Sequence, residues 1–296
     1  MRSEWTIHAL LEWTARFFYA KGISAPRLEA EILLARVLKQ DRVYLYVNYH
    51  QPVNKEERSL FKAFVGRRVQ GEPVAYIIGY KEFMSLKLKV NDQVLIPRPE
   101  TEILVENTLE ICKSLKLNRL CDIGTGSGAI AICLAFYCPQ AQVFASDISA
   151  EALAIACENA ISCEVQVDFR QGDLLAPFFN EAPFDVIIAN LPYISKDSYG
   201  ELMAEVKDYE PQLALLAGEN GLEFYRRLIP GALEKLAPGG FFLFEISPEQ
   251  KAEALELMEN FSEVQVIKDY AGRDRVIKGR KGNNPNGDPS MDNRPD

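Results

Sequence analysis

The chain has 296 residues, 48% hydrophobic and 25% charged, with 18 glycines and 16 prolines, which excludes the collagen-like and low-complexity classes. That length has room for one large domain and a small companion. Thirty-three Lys and Arg against 42 Asp and Glu give a net charge of −9, which opposes sequence-independent binding to a phosphate backbone. No nucleic-acid partner is therefore expected. No apolar run reaches the roughly 18 residues that span a bilayer, so no membrane partner is expected either. Glu4, His8 and Glu12 interrupt the apolar stretch that a signal peptide needs, and a cytoplasmic chain is expected.

The six cysteines, at 112, 121, 133, 138, 157 and 163, have no CxxC spacing and lie in apolar or helical stretches, as reduced cysteines do. No metal site is expected from them. The only histidines, His8 and His50, fall in the first fifty residues. Chemistry elsewhere must therefore run without imidazole, which removes a Ser-His-Asp triad or a multi-histidine metal centre.

The first elements read as helices. Ile7, Leu10, Leu11, Thr14, Phe17 and Phe18 share one helical face, and Gly22 ends the run. Ser24 is the expected N-cap of the next helix, with Pro26 in its first turn and Leu28, Ile32, Leu33 and Val37 as its buried stripe. Asp41 suits the cap of a short third helix. Asn54 suits the cap of a fourth, running to about Gln70 with Gly71 as its stop. Arg67 and Arg68 fall on its polar face and are expected to be solvated.

The period then changes to two. Met84, Leu86, Leu88 and Val90 alternate with polar residues as a half-buried strand, and Val94-Leu95-Ile96 is expected to return after a turn at Asn91-Asp92. From about Glu100 strands and helices alternate, with strands expected at Leu120–Ile123, Val143–Ser146, Val165–Arg170, Val186–Ala189 and Phe241–Ile246. Repeated βα units imply a parallel, doubly wound sheet with ligands at the strand C-terminal ends. Val264–Lys268 and Arg275–Lys278 leave no room for a helix between them and should pair antiparallel. The expected divisions are a helical domain at 1–75, a β-hairpin linker at 76–98, an α/β domain at 99–279 and a disordered tail at 280–296 rich in Asn, Pro and Gly.

Directly after the first sheet strand comes Asp122-Ile123-Gly124-Thr125-Gly126-Ser127-Gly128. Its glycines permit a tight strand-to-helix turn and close approach to a nucleoside. Asp147 ends the next strand, nineteen residues past Gly128, where a carboxylate accepts hydrogen bonds from ribose hydroxyls. The pairing points to an adenosine-containing ligand. Gly124, Gly126 and Ala129 also fit the dinucleotide pattern, so the loop alone admits NAD, whereas no Gly-Lys-Ser/Thr follows to make a P-loop.

The fourth strand runs into Asn190-Leu191-Pro192-Tyr193. An amide or exocyclic amine has a delocalised lone pair, and methylating it requires both N–H groups to be held by acceptors. The Asn190 side-chain oxygen can take one and the Leu191 carbonyl the other. Pro192 biases Leu191 to an extended conformation, and Tyr193 offers a ring face to a planar group. A sulfonium methyl donor is already activated, so alignment rather than a base would carry catalysis.

The sequence resembles the HemK/PrmC release factor glutamine methyltransferases over about residues 5 to 278. The matching stretches are residues 71–79 (GEPVAYIIG), 95–102 (LIPRPETE), the 122–128 loop, 190–193, 209–215 (YEPQLAL), 218–221 (GENG) and 271–275 (AGRDR). The resemblance implies a Rossmann-like, seven-stranded class I methyltransferase domain with its last strand antiparallel, and a small helical N-terminal domain that docks the release factor. It implies methyl transfer from S-adenosylmethionine to the side-chain amide nitrogen of the glutamine in the GGQ motif of peptide chain release factors. Gly124, Thr125, Gly126, Ser127, Gly128 and Asp147 would hold the cofactor, Leu174 would flank its adenine and Asn190 would border it. Asn190, Leu191, Pro192 and Tyr193 would hold the glutamine amide, with Arg98 near the substrate. Asn190, Pro192 and Tyr193 would be the catalytic set.

Two departures stand out. Leu191 replaces the proline usual at the second position of Asn-Pro-Pro-Tyr, regaining an N–H, and Leu174 replaces the aromatic residue often found against adenine. Asn-Leu-Pro-Tyr also resembles the motif of ribosomal RNA adenine dimethyltransferases, but the net charge of −9 and residues 95–102 oppose an RNA acceptor. A ribosomal-protein glutamine is the nearer alternative, disfavoured by Pro99-Glu100-Thr101-Glu102. A non-catalytic nucleoside-binding module is disfavoured by the intact Asn190 and Tyr193.

Overall fold

A computed structural model describes residues 5–283, and the expected tail beyond that point lies outside the described residues. The chain divides into two units, residues up to 80 with 203–209, and residues 81–202 with 210 onward.

The smaller unit is helical: α1 (Ile7–Ala20), α2 (Pro26–Leu38), α3 (Arg42–Val47), α4 (Lys55–Val69) and α5 (Val74–Ile78), with a helical turn at Ala204–Lys207. Thr6, Asp41 and Asn54 cap α1, α3 and α4 through their side-chain oxygens, and Glu57 completes a capping box with Asn54. Ser24 does not cap α2. Ala25 occupies that position without a side-chain bond, and Pro26 at the first turn supplies the preset φ instead. The buried face of α2 is also rotated from the expected stripe. Ala30, Leu33, Leu34 and Val37 are buried while Leu28 is exposed, because the helix also buries Glu31.

That glutamate accepts from Arg27, Arg42 and Tyr46. Burial pushes its pKa upward, but these three donors outweigh burial and hold it below the usual carboxylate range. Arg68 is not solvated either. It is buried, 2.6 Å from Glu29 and 2.8 Å from Glu205, whereas Arg67 pairs with Glu72 at the surface.

The hairpin forms one step earlier in sequence than expected. β1 (Tyr80–Phe83) and β2 (Leu86–Lys89) flank Met84 and Ser85, both at positive φ, the two-residue turn whose twist suits paired strands. Val94–Ile96 makes no strand. The N–H of Ile96 donates to the Glu210 carboxylate at 3.1 Å instead.

The larger unit is a seven-stranded sheet of β3 (Arg119–Ile123), β4 (Gln142–Asp147), β5 (Asp168–Gln171), β6 (Phe184–Ala189), β7 (Leu236–Glu245), β8 (Ser262–Lys268) and β9 (Asp274–Arg280), in the order 5-4-3-6-7-9-8. β3 to β7 run parallel, and β9 is antiparallel to both neighbours. β5 is shorter than expected, since Val165–Val167 lie before it. Alternate strand residues feed two cores. Leu120, Val186, Ile188 and Leu243 face α6 (Glu102–Leu115) and α7 (Ala129–Tyr137). Cys121, Ile187, Phe242 and Phe244 face the helices at Glu223–Lys235 and Lys251–Glu256.

Removing the buried Arg68 guanidinium leaves the partly buried Glu29 carboxylate without its ion-pair partner. Arg68→Ala should cost about 3 kcal/mol, read as a lowered urea midpoint with an unchanged slope.

Candidate active site

The sheet register assembles the site. Ile123 pairs with Ser146 on one side and with Ala189 on the other, and Ala189 pairs with Phe244. The next residue of each strand path therefore falls on one rung: Asp147, Gly124, Asn190 and Glu245. That rung lies at the C-terminal ends of the strands. It crosses the point where strand order reverses, between β3 and β6, where open α/β sheets bind ligands.

Gly124 and Thr125 both donate backbone N–H bonds to the Ser146 carbonyl, and the Gly126 N–H donates to Asp147 Oδ2 at 2.8 Å. Gly124 (φ +74) permits more than a turn. A β-carbon there would come 2.5 Å from Cδ2 of Leu191, so the loop and the Asn190–Tyr193 segment pack because this position is bare. At the root of the loop, Asp122 is fully buried and accepts from Thr125 Oγ1 and the Ala131 N–H through one oxygen. Its other oxygen has no partner among the described residues, and burial pushes its pKa up to about 7.

Asp147 takes one N–H on each carboxylate oxygen, from Gly126 and Ser149, which leaves further lone pairs for ligand hydroxyls. Leu174 holds φ +51, rare for a branched residue, and its carbonyl accepts from Ser146 Oγ. A cavity of about 540 Å³ is lined by Gly124, Thr125, Gly126, Ser127, Asp147, Leu174, Asn190, Leu191, Pro192 and Arg98 among others. Two anticipated residues lie off its wall. Gly128 opens α7, and Tyr193 is half-buried with its hydroxyl on Glu245.

Around Asn190 the structure adds residues that sequence reasoning missed. Asn190 Nδ2 donates to Thr101 Oγ1 at 3.0 Å, and Thr101 Oγ1 donates to Glu245 Oε2 at 2.6 Å. Tyr193 donates to Glu245 Oε1 at 3.1 Å. Glu245 and Thr101 are buried. In the sequence Glu245 shows only as a lone acid closing the apolar run Phe241–Phe244, and Thr101 only as one polar residue of the 95–102 stretch. The recovered N–H of Leu191 is accommodated. It donates to the Tyr225 hydroxyl at 3.1 Å, which in turn donates to the Glu245 carbonyl at 2.7 Å. Arg98 is held 2.5 Å from Glu210, so its charge is neutralised where it borders the cavity.

This sheet, the glycine loop and the acidic rung define a nucleoside-binding methyltransferase of the Rossmann-like class. A model of a methyltransferase domain matches residues 120–209, and one of the PrmC N-terminal domain matches residues 9–79. A 16S rRNA N2 methyltransferase from T. thermophilus, solved with AdoMet and guanosine, shares the fold at a TM-score of 0.50 and 20% identity, over 68% of this chain and 49% of that one.

Curated relatives carry the identification further. A release factor glutamine methyltransferase of Rhodopirellula baltica is 41% identical over 94% of this chain and 97% of its own. One of Geobacter sulfurreducens is 40% identical over 94% and 98%. The chain belongs to the release factor glutamine methyltransferase family, and its methyl donor is S-adenosylmethionine. The residues present fit that cofactor: a bare-backbone loop and, across from it, a carboxylate with lone pairs to spare, both on the cavity wall.

Asp147→Ala should weaken S-adenosylmethionine binding at least about tenfold in a calorimeter, since it removes both the loop's anchor and an acceptor. Tyr225→Phe leaves the buried Leu191 N–H and Glu245 carbonyl short of a partner and should cost about 1–3 kcal/mol in a denaturant melt.

Proposed function

We propose that this chain methylates the side-chain amide nitrogen of the glutamine in the GGQ motif of peptide chain release factors. The observation that carries the reading is the state of Asn190. Its amide nitrogen donates to Thr101 Oγ1, which leaves its carbonyl oxygen as an acceptor, and Asn190 and Leu191 both line the cavity. Two acceptors on adjacent residues suit a primary amide, which has two N–H groups to give. The names of the relatives, at about 40% identity over nearly the whole chain, support the release factor as the protein that brings this amide.

Gly124, Thr125, Gly126, Ser127 and Gly128 form the loop that would cradle the cofactor, Asp147 would take its ribose hydroxyls, and Leu174 would lie along its adenine. Asn190 would sit between cofactor and acceptor. Leu191, Pro192 and Arg98 would complete the acceptor site from the cavity wall, with Tyr193 supporting it through its hydrogen bond to Glu245. The cofactor supplies an electrophilic methyl group on a sulfonium. The chain's own task is to hold the amide nitrogen in line with it and to exclude water, and the proton leaves the nitrogen after transfer. The neutralised Arg98–Glu210 pair suits a neutral acceptor.

The helical unit would dock the body of the release factor, and the net charge of −9 fits a protein rather than a nucleic-acid partner. Such work belongs in the cytoplasm. No helix among the described residues is long and apolar enough to cross a membrane.

Incubating the protein with S-adenosylmethionine and a release factor should place one methyl group on the GGQ glutamine by mass spectrometry. Asn190→Ala should abolish that transfer while cofactor affinity stays within about twofold. Methylation of a ribosomal protein with the release factor unmodified would redirect the acceptor assignment, and an active Asn190→Ala would overturn the role of Asn190.

A further inference from the structure

Asn190 can act as an acceptor only if its amide stands one way round, and a planar amide turned by half a rotation presents N–H groups instead. Nothing on the Asn190 side chain itself chooses between the two. The choice is made two hydrogen bonds away, at Glu245.

Glu245 is the last residue of β7 and is 1% exposed. An ionised carboxylate has no hydrogen to give and can only accept. Thr101 has one hydroxyl hydrogen, and at 2.6 Å it goes to Glu245 Oε2. With that hydrogen spent, Thr101 Oγ1 offers Asn190 nothing but lone pairs. The end of Asn190 that carries hydrogens therefore turns to Thr101, and its carbonyl turns the other way. Tyr193 stabilises the same polarity. Burial, with the Glu245 charge second, raises its pKa, so it remains a hydroxyl donor to Oε1.

We propose that Glu245 and Thr101 are positioning residues that set the orientation of the Asn190 amide through the direction of their hydrogen bonds. The inference rests on the reading of Asn190 as the acceptor of the substrate N–H. A neutral group in place of the carboxylate no longer fixes the direction of the chain, because its hydrogen-bearing end can face Thr101. A hydrogen donated toward Thr101 Oγ1 turns the hydroxyl hydrogen to Asn190, draws Oδ1 inward and leaves N–H groups facing the substrate's own N–H. Donor then meets donor, and the amide is not held.

The charged and titratable groups around the carboxylate come from four segments. Arg275 lies on β9, with Asp269 as its ion-pair partner, and Glu100 lies beside Thr101 and is paired to Arg273. Tyr193 follows β6, and Tyr225 comes from the helix at Glu223–Lys235, with its hydroxyl on the Glu245 backbone carbonyl. Burial raises the pKa of Glu245, and the Thr101 hydroxyl, Arg275 and Tyr193 only partly oppose it. A carboxyl raised in this way is ionised above its pKa, so the productive polarity holds at higher pH and is lost as pH falls through that value.

Single-turnover methylation of a release factor, with S-adenosylmethionine affinity measured alongside, tests the relay. Glu245→Gln and Thr101→Val should each lower the rate about a hundredfold with cofactor affinity within about twofold. Thr101→Ser, which keeps the hydroxyl, should restore most of the loss. The two losses should not add in the double variant, because both break one chain. In the wild type the rate should fall on the acid side, and in Thr101→Val the residual rate should be flat over that range.

The inference is overturned if Glu245→Gln keeps a rate within about threefold of wild type, or if the acid limb persists unchanged in Thr101→Val. If Asn190→Ala remains active, the underlying reading of Asn190 fails instead. A Glu245→Gln chain that does not fold leaves the decision to Thr101→Val, Thr101→Ser and the pH profile.

Discussion

A carboxylate buried at the end of β7 is the constraint on which the site depends. Taking an ionised group out of water costs several kcal/mol unless donors surround it, so Glu245 is tolerable only where hydrogen bonds converge. They arrive from the turn at Pro99–Thr101 through Thr101 and from the segment after β6 through Tyr193. The register of the sheet puts this acid on the same rung as Asn190, Gly124 and Asp147. The glycine loop and the Asn190–Tyr193 segment are thereby fixed against one another by backbone pairing, and the carboxylate fixes the side chains between them.

The stretch 95–102 carries the wiring to the rest of the larger unit. Ile96 and Arg98 both bond Glu210, Glu100 meets Arg273, Thr101 bridges Asn190 to Glu245, and Glu102 accepts the Met84 N–H at the turn of the hairpin. Every polar side chain of Arg-Pro-Glu-Thr-Glu thus has a distinct partner in a different segment. This explains why those residues are a more specific signature than the glycine loop. A loop shaped for a nucleoside can be reached by many sequences, whereas four neighbouring side chains tied to five partners in other segments can be met by few.

What was legible in the sequence was local. Gly124 to Gly128, Asp147 and Asn190 to Tyr193 announce themselves because each sits at a strand end where a period breaks, and the same breaks gave the alternation of strands and helices. The true hairpin turn is hard to read because Met84 and Ser85 are not the Asn or Gly usual in such a turn, while Asn91-Asp92 resembles one. The burial of Arg68 is not legible locally, because its partners Glu29 and Glu205 are remote in the chain. Thr101 and Glu245, 144 positions apart, could not be joined without the strand order. Only the sheet says that the end of β7 lies next to the end of β6.

Leu191 shows how the site absorbs a change. A proline at this position would have no N–H to satisfy and a fixed φ. Leucine brings an N–H and freedom, and both are taken up. The N–H goes to the Tyr225 hydroxyl, itself pinned to the Glu245 carbonyl, and the side chain packs on the bare backbone of Gly124. The same residue, Glu245, thus anchors Asn190 through its carboxylate and the Leu191 amide through its main chain. The proposed transfer relies on alignment rather than on a base, and would need the Asn190 and Leu191 acceptors held rigidly relative to each other. Tying both to one buried residue achieves that without a ring to stiffen the chain.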